Sequence, residues 1–176
     1  MELSIGQKVT YPTQGVCVVE DIKRRDGSSL SYYYLRVLSD NSIIFVPVAN
    51  AETVGLRPVI SAREYRKLVD FLGRDFDEVS HDWKIRSREF ALKLQSGDVF
   101  ETADVLKKLT FLSHEKKLSF REQSFLEKAR FLIVSEVTNA SLATEKTIAR
   151  KLDELVERAC VKHQAIQPCV LAATVH

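Results

Sequence analysis

The sequence predicts an α+β protein in which a small antiparallel β barrel precedes a compact bundle of about five helices. Two observations support this fold class. Roughly the first sixty residues contain short segments rich in β-branched and aromatic side chains, separated by turn signals. After Pro58, apolar residues recur instead at the spacing of an amphipathic helix. This change of period predicts a β domain (1–58), a helical domain (59–165) and a C-terminal tail (166–176).

The β domain contains four segments whose composition is typical of strands: KVTYP, GVCVVEDI, SYYYLRVL and SIIFVPV. Turn signals separate them at Pro12–Gly15, Asp26–Gly27 and Asp40–Asn41. Connections this short make neighbouring strands antiparallel, and four or five such strands can close into a small barrel. Because side chains alternate along a strand, Tyr33 should face away from Tyr32 and Tyr34, which favours ordinary packing over an aromatic cage.

The helical domain carries start and stop signals at its predicted helix ends. Ser61 and Glu64 form a capping box before the first helix, and Gly73 is its stop. The later predictions are a second helix from near Asp82 to Gly97, a third capped by Asp98 with Glu101, a fourth capped by Ser119 with Glu122, and a fifth that follows Ser141 or Thr144. The residues predicted to form the buried faces are Tyr65, Leu68, Val69, Leu72, Val99, Ala103, Leu106, Leu109, Phe125, Leu126, Ala129, Leu132, Ile133, Ile148, Leu152, Leu155, Val156 and Ala159.

The composition predicts a globular protein, the cysteine usage predicts a reducing cytoplasm, and we expect a monomer. Hydrophobic residues make up 45% of the 176 residues, and the net charge of +2 is too small by itself to indicate a nucleic-acid partner. No run of ~18 apolar residues suggests a membrane span, and the first residues do not resemble a secretory signal. Cys17, Cys160 and Cys169 have neither CxxC nor Cys/His spacing, so we expect free thiols and neither metal nor cofactor.

The sequence lacks the common catalytic motifs GxxxxGK[ST], GxGxxG, GxSxG and HExxH. Its four histidines lie in different predicted elements: His81, His114, His163 and His176. His81 and Asp82 are neighbours, but adjacent residues at a helix start point apart. We therefore predict no catalytic residue, and a hydrolase that uses His81 and Asp82 is the weakest alternative.

The stretch HDWKIRSREF places the only tryptophan, Trp83, before a run of cations: Lys84, Arg86 and Arg88. One interpretation is structural, with Trp83 covering the end of the bundle and the cations forming a solvated face. The other is an apolar wedge flanked by cations that bind phosphate, as in minor-groove architectural proteins. The pattern alone does not decide between them and slightly favours the structural interpretation.

Several segments, taken in order, resemble the CarD/CdnL family of bacterial transcription regulators. Gly6, Val9 through Tyr11-Pro12, Gly15 and VPVANAETVGLR (46–57) are similar to the polymerase-interacting domain that the family shares with the transcription-repair coupling factor. The matching segments of the second half are Trp83 with Arg86, KLQSGD (93–98), ADVLKKL (103–109) and LSFREQSFLEKARFLIVSE (118–136). The resemblance spans roughly residues 3–160 in both domains, and the ordered set is more specific than any one motif.

The resemblance implies that the helical domain touches promoter DNA. In the family, the tryptophan that matches Trp83 wedges into the minor groove at the upstream edge of the transcription bubble. Nearby cations bind the DNA backbone, and the best matches here are Arg86 and Arg88, with Lys84 beside them. The implied result is a longer-lived open promoter complex of the housekeeping sigma-factor holoenzyme, without recognition of a DNA sequence by the protein itself.

The resemblance also implies a Tudor-like barrel that docks on the RNA polymerase β subunit. The polymerase-binding residues it implies are Arg25, Phe45, Val46 and Pro47, and Pro47 suits an edge strand because it cannot donate to a ladder. Phe45 stands where some members carry arginine and others an apolar residue, so the contact here should be more apolar and less salt-sensitive. Ile85 stands where a basic residue is common, so one phosphate contact is missing or moved to Lys84. The alternative function is a polymerase-bound adaptor whose helical domain recruits another protein instead of DNA.

Overall fold

The computed structural model describes residues 2–24 and 29–166 and contains an antiparallel sheet followed by five helices, which confirms the α+β class. The strands are β1 (Lys8–Tyr11), β2 (Gly15–Arg24), β3 (Ser31–Val37), β4 (Ile43–Pro47) and β5 (Arg57–Pro58). Thr13 and Asn41 adopt left-handed φ angles of 64° and 59° in the turns that the sequence signals predict. The predicted domain boundary at residue 58 stays a prediction, although the last strand ends there.

The sheet is open, so the predicted closure into a barrel is wrong for the described residues. Its strand order is β4-β3-β2-β1-β5, with every neighbouring pair antiparallel. Closure would require β5 to reach β4, but β5 has two residues and pairs only with Val9 and Thr10 of β1. β4 is therefore an edge strand, and Pro47 lies on that edge. Tyr33 is buried while Tyr32 and Tyr34 are half-buried on the other face, which confirms the predicted alternation.

The five helices begin where the sequence places their caps. They are α1 (Ala62–Leu72), α2 (Trp83–Gln95), α3 (Val99–Glu115), α4 (Phe120–Asn139) and α5 (Glu145–Ile166). Complete capping boxes start α1 and α4, and Asp82 and Asp98 cap α2 and α3 through backbone N–H groups two residues later. For α5, Thr144 rather than Ser141 accepts a hydrogen bond, from the Thr147 N–H at 3.4 Å. Across the described residues, no helix is both long and apolar enough to cross a membrane.

Each half of the chain has its own apolar core. All the predicted inner-face residues of the helices are buried or half-buried, and the half-buried ones are Tyr65, Val69, Phe125, Leu126 and Leu155. The five helices therefore form one packed body around α3, which contacts α1, α2, α4 and α5. Cys17 and Cys160 are buried free thiols, as predicted, whereas Cys169 and the tail after Pro168 lie outside the described residues.

Two glycines allow the sheet to approach the turn between α2 and α3. Gly55 has a φ of +79°, and a Cβ atom there would lie 2.9 Å from the backbone oxygen of Ser96. Gly97 has a φ of +78°, and its Cβ would lie 2.8 Å from the backbone oxygen of Gly55. Real Cβ atoms do not approach this closely, and both angles disfavour other residues. The two backbones can therefore meet only because both positions are glycine.

A buried ion pair joins the sheet to the helices beside this contact. Arg57 of β5 donates to both carboxylate oxygens of Glu136 on α4, at 2.5 and 2.9 Å, and its Nε donates to the Gly97 oxygen at 2.7 Å. The Ile60 N–H also donates to Glu136, at 2.9 Å. Glu136 is only 2% exposed, so its charge depends on these donors for compensation. One carboxylate therefore fixes both the last strand and the segment that leads into α1.

We expect Glu136→Ala to lower the free energy of unfolding by about 3 kcal/mol, at the lower end of the range for broken buried ion pairs, because Arg57 retains some contact with water. Urea denaturation followed by circular dichroism measures this change. The matched control is Asp153→Ala, which removes the exposed ion pair of Asp153 with Arg130 between α4 and α5 and should cost less than about 1 kcal/mol. Equal losses in the two variants would contradict a special role for Glu136.

Candidate nucleic-acid interface

Trp83 lies on the surface at the first turn of α2. Asp82 precedes it as the N-cap and accepts a hydrogen bond from the Lys84 N–H at 2.8 Å, so the helix starts at the tryptophan itself. Trp83 is 63% exposed, and its only ring contact with a cation in the described residues is Lys84 Nζ, 5.7 Å from the ring. The interpretation of Trp83 as the cover of the bundle end is therefore wrong. A large apolar side chain is available there to a partner.

Cations surround the tryptophan along a surface groove. The groove is lined by Trp83, Lys84, Ser87, Arg88, Ala91, Leu92 and Arg121. Lys84, Arg88 and Arg121 are exposed, and within the described ranges none has a carboxylate within ion-pair distance. Unpaired cations beside an exposed aromatic ring suit a phosphate backbone and a base step. We refer to this surface as the Trp83 groove.

Arg86 does not face the Trp83 groove, so its position does not suit the predicted phosphate contact. It is 4% exposed, and its Nη2 and Nε donate to Glu122 Oε1 at 2.6 and 3.1 Å. Its Nη1 donates to the backbone oxygens of Ser80 and His81 at 2.7 and 3.3 Å. The guanidinium therefore holds the segment before α2 against the start of α4. We assign Arg86 the role of positioning Trp83.

The helical spacing contains a signal for the burial of Arg86. Arg86, Phe90 and Leu94 recur every four residues and are the buried residues of α2. Lys84 and Arg88 lie on another face, where they stay exposed. A cation in line with two apolar residues indicates a buried ion pair, and its partner lies on a different helix that spacing within α2 cannot identify.

Arg121 is the cation that the sequence reasoning missed. Arg121 is the second residue of α4 and lies about forty positions after Trp83 in the chain. No local sequence motif therefore joins these two residues. The structure brings it to the Trp83 groove because Arg86 ties the first turn of α2 to the first turn of α4. Arg121 and Arg88 thus line the Trp83 groove together, whereas Arg86 does not.

Glu122 has two structural roles at this junction. Its Oε2 accepts from the Ser119 N–H at 2.9 Å, as the capping box of α4 requires, while Oε1 accepts from Arg86. Burial alone would raise the pKa of the Glu122 carboxyl, but hydrogen bonds from the Ser119 backbone and from Arg86 lower it to about 2. The carboxylate therefore stays charged across the physiological range.

Three of the predicted polymerase-binding residues, Phe45, Val46 and Pro47, lie on β4 at the free edge of the sheet. Within the described residues β4 pairs only with β3, and Phe45 on it is 56% exposed, so its ring is not part of the core. Its ring contacts Tyr34 edge to face at a centroid distance of 4.8 Å. Val46 is buried, so only its backbone can face a partner, and Pro47 is half-buried. Arg25 lies outside the described residues.

Other reactive groups in the described part of the chain do not form a site. His81 is exposed and pairs loosely with Glu78 at 3.8 Å rather than with Asp82. Burial raises the pKa of the Cys17 and Cys160 thiols to about 11 and about 12, which leaves them poor nucleophiles. No group of three or more metal-ligating side chains occurs among these residues. The Trp83 groove and the β4 edge remain the candidate surfaces.

We expect Glu122→Gln to change the pH dependence of stability. The carboxyl pKa falls from 4.5 to about 2 on folding, so its contribution is full above pH 4.5 and is lost as the pH falls toward 2. The variant should lose about 2–4 kcal/mol at pH 7 and show a shallower decline than wild type between those pH values. Urea denaturation at a series of pH values measures both effects.

Glu127→Gln is the control for this experiment, because Glu127 lies on the exposed part of the same helix. It should reproduce the wild-type curve. A Glu122→Gln curve parallel to that of wild type would show that another carboxylate causes the acid-dependent loss.

Comparison with known proteins matches both halves of the chain. Residues 3–60 match the family model described as the CarD-like/TRCF RID domain, and residues 67–153 match the CarD C-terminal domain. A protein of Bacillus subtilis (strain 168) named "Putative transcription factor YdeB" is 25% identical over 146 residues, which is 82% of this chain and 95% of that protein.

The two matched ranges correspond to the two structural halves. The first contains the sheet with its free β4 edge, and the second contains α2 with Trp83 and the start of α4. The RID domain is a module for interaction with RNA polymerase. The chain belongs to the CarD family of transcription regulators that interact with RNA polymerase.

Proposed function

We propose that this protein is a non-enzymatic regulator that binds the RNA polymerase β subunit and stabilises the open promoter complex. Trp83 wedges into the minor groove at the upstream edge of the transcription bubble. The observation that carries this proposal is the exposure of Trp83, 63%, among unpaired cations of the Trp83 groove. Family membership supports it, because the matched C-terminal domain includes the whole of α2.

The wedge favours open DNA through differential binding. The edge of a bubble contains a base step with one exposed face, whereas closed duplex has no comparable face for an aromatic ring. Stacking an aromatic side chain on a base contributes about 1–3 kcal/mol. This corresponds to roughly one to two decades in the equilibrium between closed and open DNA. Trp83 can act this way because its ring is not needed by the protein core.

The cations supply affinity without sequence specificity. Lys84, Arg88 and Arg121 present their charges beside the wedge and have few polar neighbours that could read base edges. Each phosphate contact releases counterions, so binding should weaken as salt rises. Arg86 contributes indirectly, because it fixes the segment before Trp83 against α4. Contacts between these cations and the DNA backbone then orient Trp83 toward whichever base step is open.

The sheet delivers this weak DNA contact to the promoter. The unpaired side of β4 is suited to strand addition by the polymerase β subunit, with the exposed ring of Phe45 as an apolar contact. Tethering raises the effective concentration of the wedge near the bubble of the housekeeping sigma-factor holoenzyme. With this tether, a net charge of +2 is sufficient for the protein to bind promoter DNA. The protein would act in the cytoplasm, associated with the nucleoid through the polymerase.

We expect Trp83→Ala to shorten the open-complex lifetime about ten-fold, because stacking energy is lost. Polymerase binding and thermal stability should stay at wild-type values, since Trp83 is exposed. The measurement is the decay of heparin-challenged open complexes on one promoter. Trp83→Phe should retain part of the effect, and Val161→Ala, which removes an exposed apolar side chain from α5, serves as the control.

An unchanged lifetime for Trp83→Ala would contradict the wedge. A loss of polymerase binding in the same variant would instead indicate that Trp83 contacts the polymerase itself, which also contradicts the wedge. Footprinting of the upstream bubble edge with wild-type protein provides a second distinction, because an adaptor need not alter that edge.

We expect Phe45→Glu to weaken binding to the polymerase at least ten-fold, because it places a charge in an apolar contact. The exposed position should leave stability within about 0.5 kcal/mol of wild type. Co-precipitation with the β subunit measures the effect, and Ile5→Glu, at an exposed apolar position before β1, is the matched control. Equal loss in both variants would contradict docking at the β4 edge.

A further inference from the structure

Phe120 is the most exposed large apolar side chain of the described residues, at 92%. It is the first residue of α4, after the N-cap Ser119. It precedes the fully buried Ala129 by about two and a half helical turns, which places it on the opposite side of the helix from the core. A phenylalanine in this position adds nothing to packing. Its ring is free for a partner.

The start of α4 lies beside the Trp83 groove. The pair Arg86–Glu122 joins the first turn of α2 to the first turn of α4. Farther along the two helices, Gln95 at the end of α2 and Lys128 near the middle of α4 line a common groove. The helices therefore run in the same direction. Trp83 and Phe120, each the first residue of its helix, lie at the same end of the bundle.

The charges around Phe120 favour a polyanion over a neutral or basic protein surface. Lys117 and Arg121 are exposed, and in the ranges that the structure describes neither has a carboxylate within ion-pair distance. Arg121 also lines the Trp83 groove. The nearest acid in sequence, Glu122, is buried and bonded to Arg86 and Lys116. An exposed aromatic ring among unpaired cations is the arrangement by which proteins hold unpaired bases and their phosphates.

We propose that Phe120, with Arg121 and Lys117, forms a second nucleic-acid contact in which the Phe120 ring stacks on an unpaired base next to the fork. This proposal rests on the proposed function of the Trp83 groove, and it adds a separate site on α4. Arg121 follows Phe120 in the chain and lines the Trp83 groove, so it neutralises the phosphate that connects the paired and unpaired DNA. The ligand is therefore a junction of duplex and single strand, engaged at both parts.

The test uses the full chain and a forked oligonucleotide with 2-aminopurine in its unpaired arm. Stacking on an aromatic ring quenches this fluorescent base, and anisotropy of the same DNA gives the affinity. Phe120→Ala should abolish the quenching and weaken fork binding by about five- to a hundred-fold, with no change for blunt duplex. Phe120→Tyr should restore both. Val161→Ala is the control for loss of exposed apolar surface.

Arg121→Gln should lower the slope of log affinity against log salt by roughly 0.7–0.9, the effect of one phosphate contact. Arg63→Gln is its control, because Arg63 is an exposed arginine of α1, which packs on α3 and α5. An unchanged slope for Arg121→Gln would remove the phosphate contact from the proposal.

The outcomes separate this proposal from the wedge. If Trp83→Ala weakens fork binding and Phe120→Ala equals wild type, the second contact is overturned and the wedge stands. If Phe120→Ala weakens polymerase co-precipitation but not fork binding, the surface contacts protein and the proposal fails. If neither variant changes fork binding, both the proposal and the DNA-binding role of the Trp83 groove are wrong.

Discussion

The ion pair between Arg86 and Glu122 determines the geometry of the candidate DNA-binding surface. Both partners are almost fully buried, and the guanidinium also holds the carbonyls of Ser80 and His81. Without Glu122, a buried cation would lack its counter-charge, which is the situation in which buried pairs cost most. Because Glu122 also completes the capping box of α4, the start of one helix cannot shift without disturbing the start of the other. The exposed Trp83 ring therefore sits on a rigid base, which limits the entropy that binding must remove.

Helix α4 repeats this device at its other end. Glu136 forms an ion pair with Arg57 of the sheet, and Glu122 forms one with Arg86 of α2. Both acids lie on the buried side of the helix. Fourteen residues separate them, which is close to four helical turns, so the two carboxylates face the same way along one rod. Charge complementarity at two points supplies orientation that apolar packing alone does not, since apolar contacts are not directional.

Much of the fold follows from local chemistry in the sequence. Ser61, Asp82, Asp98 and Ser119 mark helix starts because a side-chain oxygen next to free backbone N–H groups has one favourable geometry. The open sheet was not predictable in the same way, because strand composition does not determine whether the first and last strands meet. The exposure of Trp83 followed from family resemblance and not from periodicity. Arg121 was missed because its proximity to Trp83 depends on a contact between helices, which local spacing does not encode.

The span of α4 has a mechanical consequence. Between Glu122 and Glu136 the helix rises about 21 Å, the axial length of roughly six base pairs at ~3.4 Å each. The Arg57–Glu136 pair fixes the sheet near one end of this helix, and the Arg86–Glu122 pair fixes the surface around Trp83 at the other. A polymerase bound to the sheet would therefore hold Trp83 at a fixed distance from that contact. The position of Trp83 on DNA would then depend on this distance and not on the base sequence.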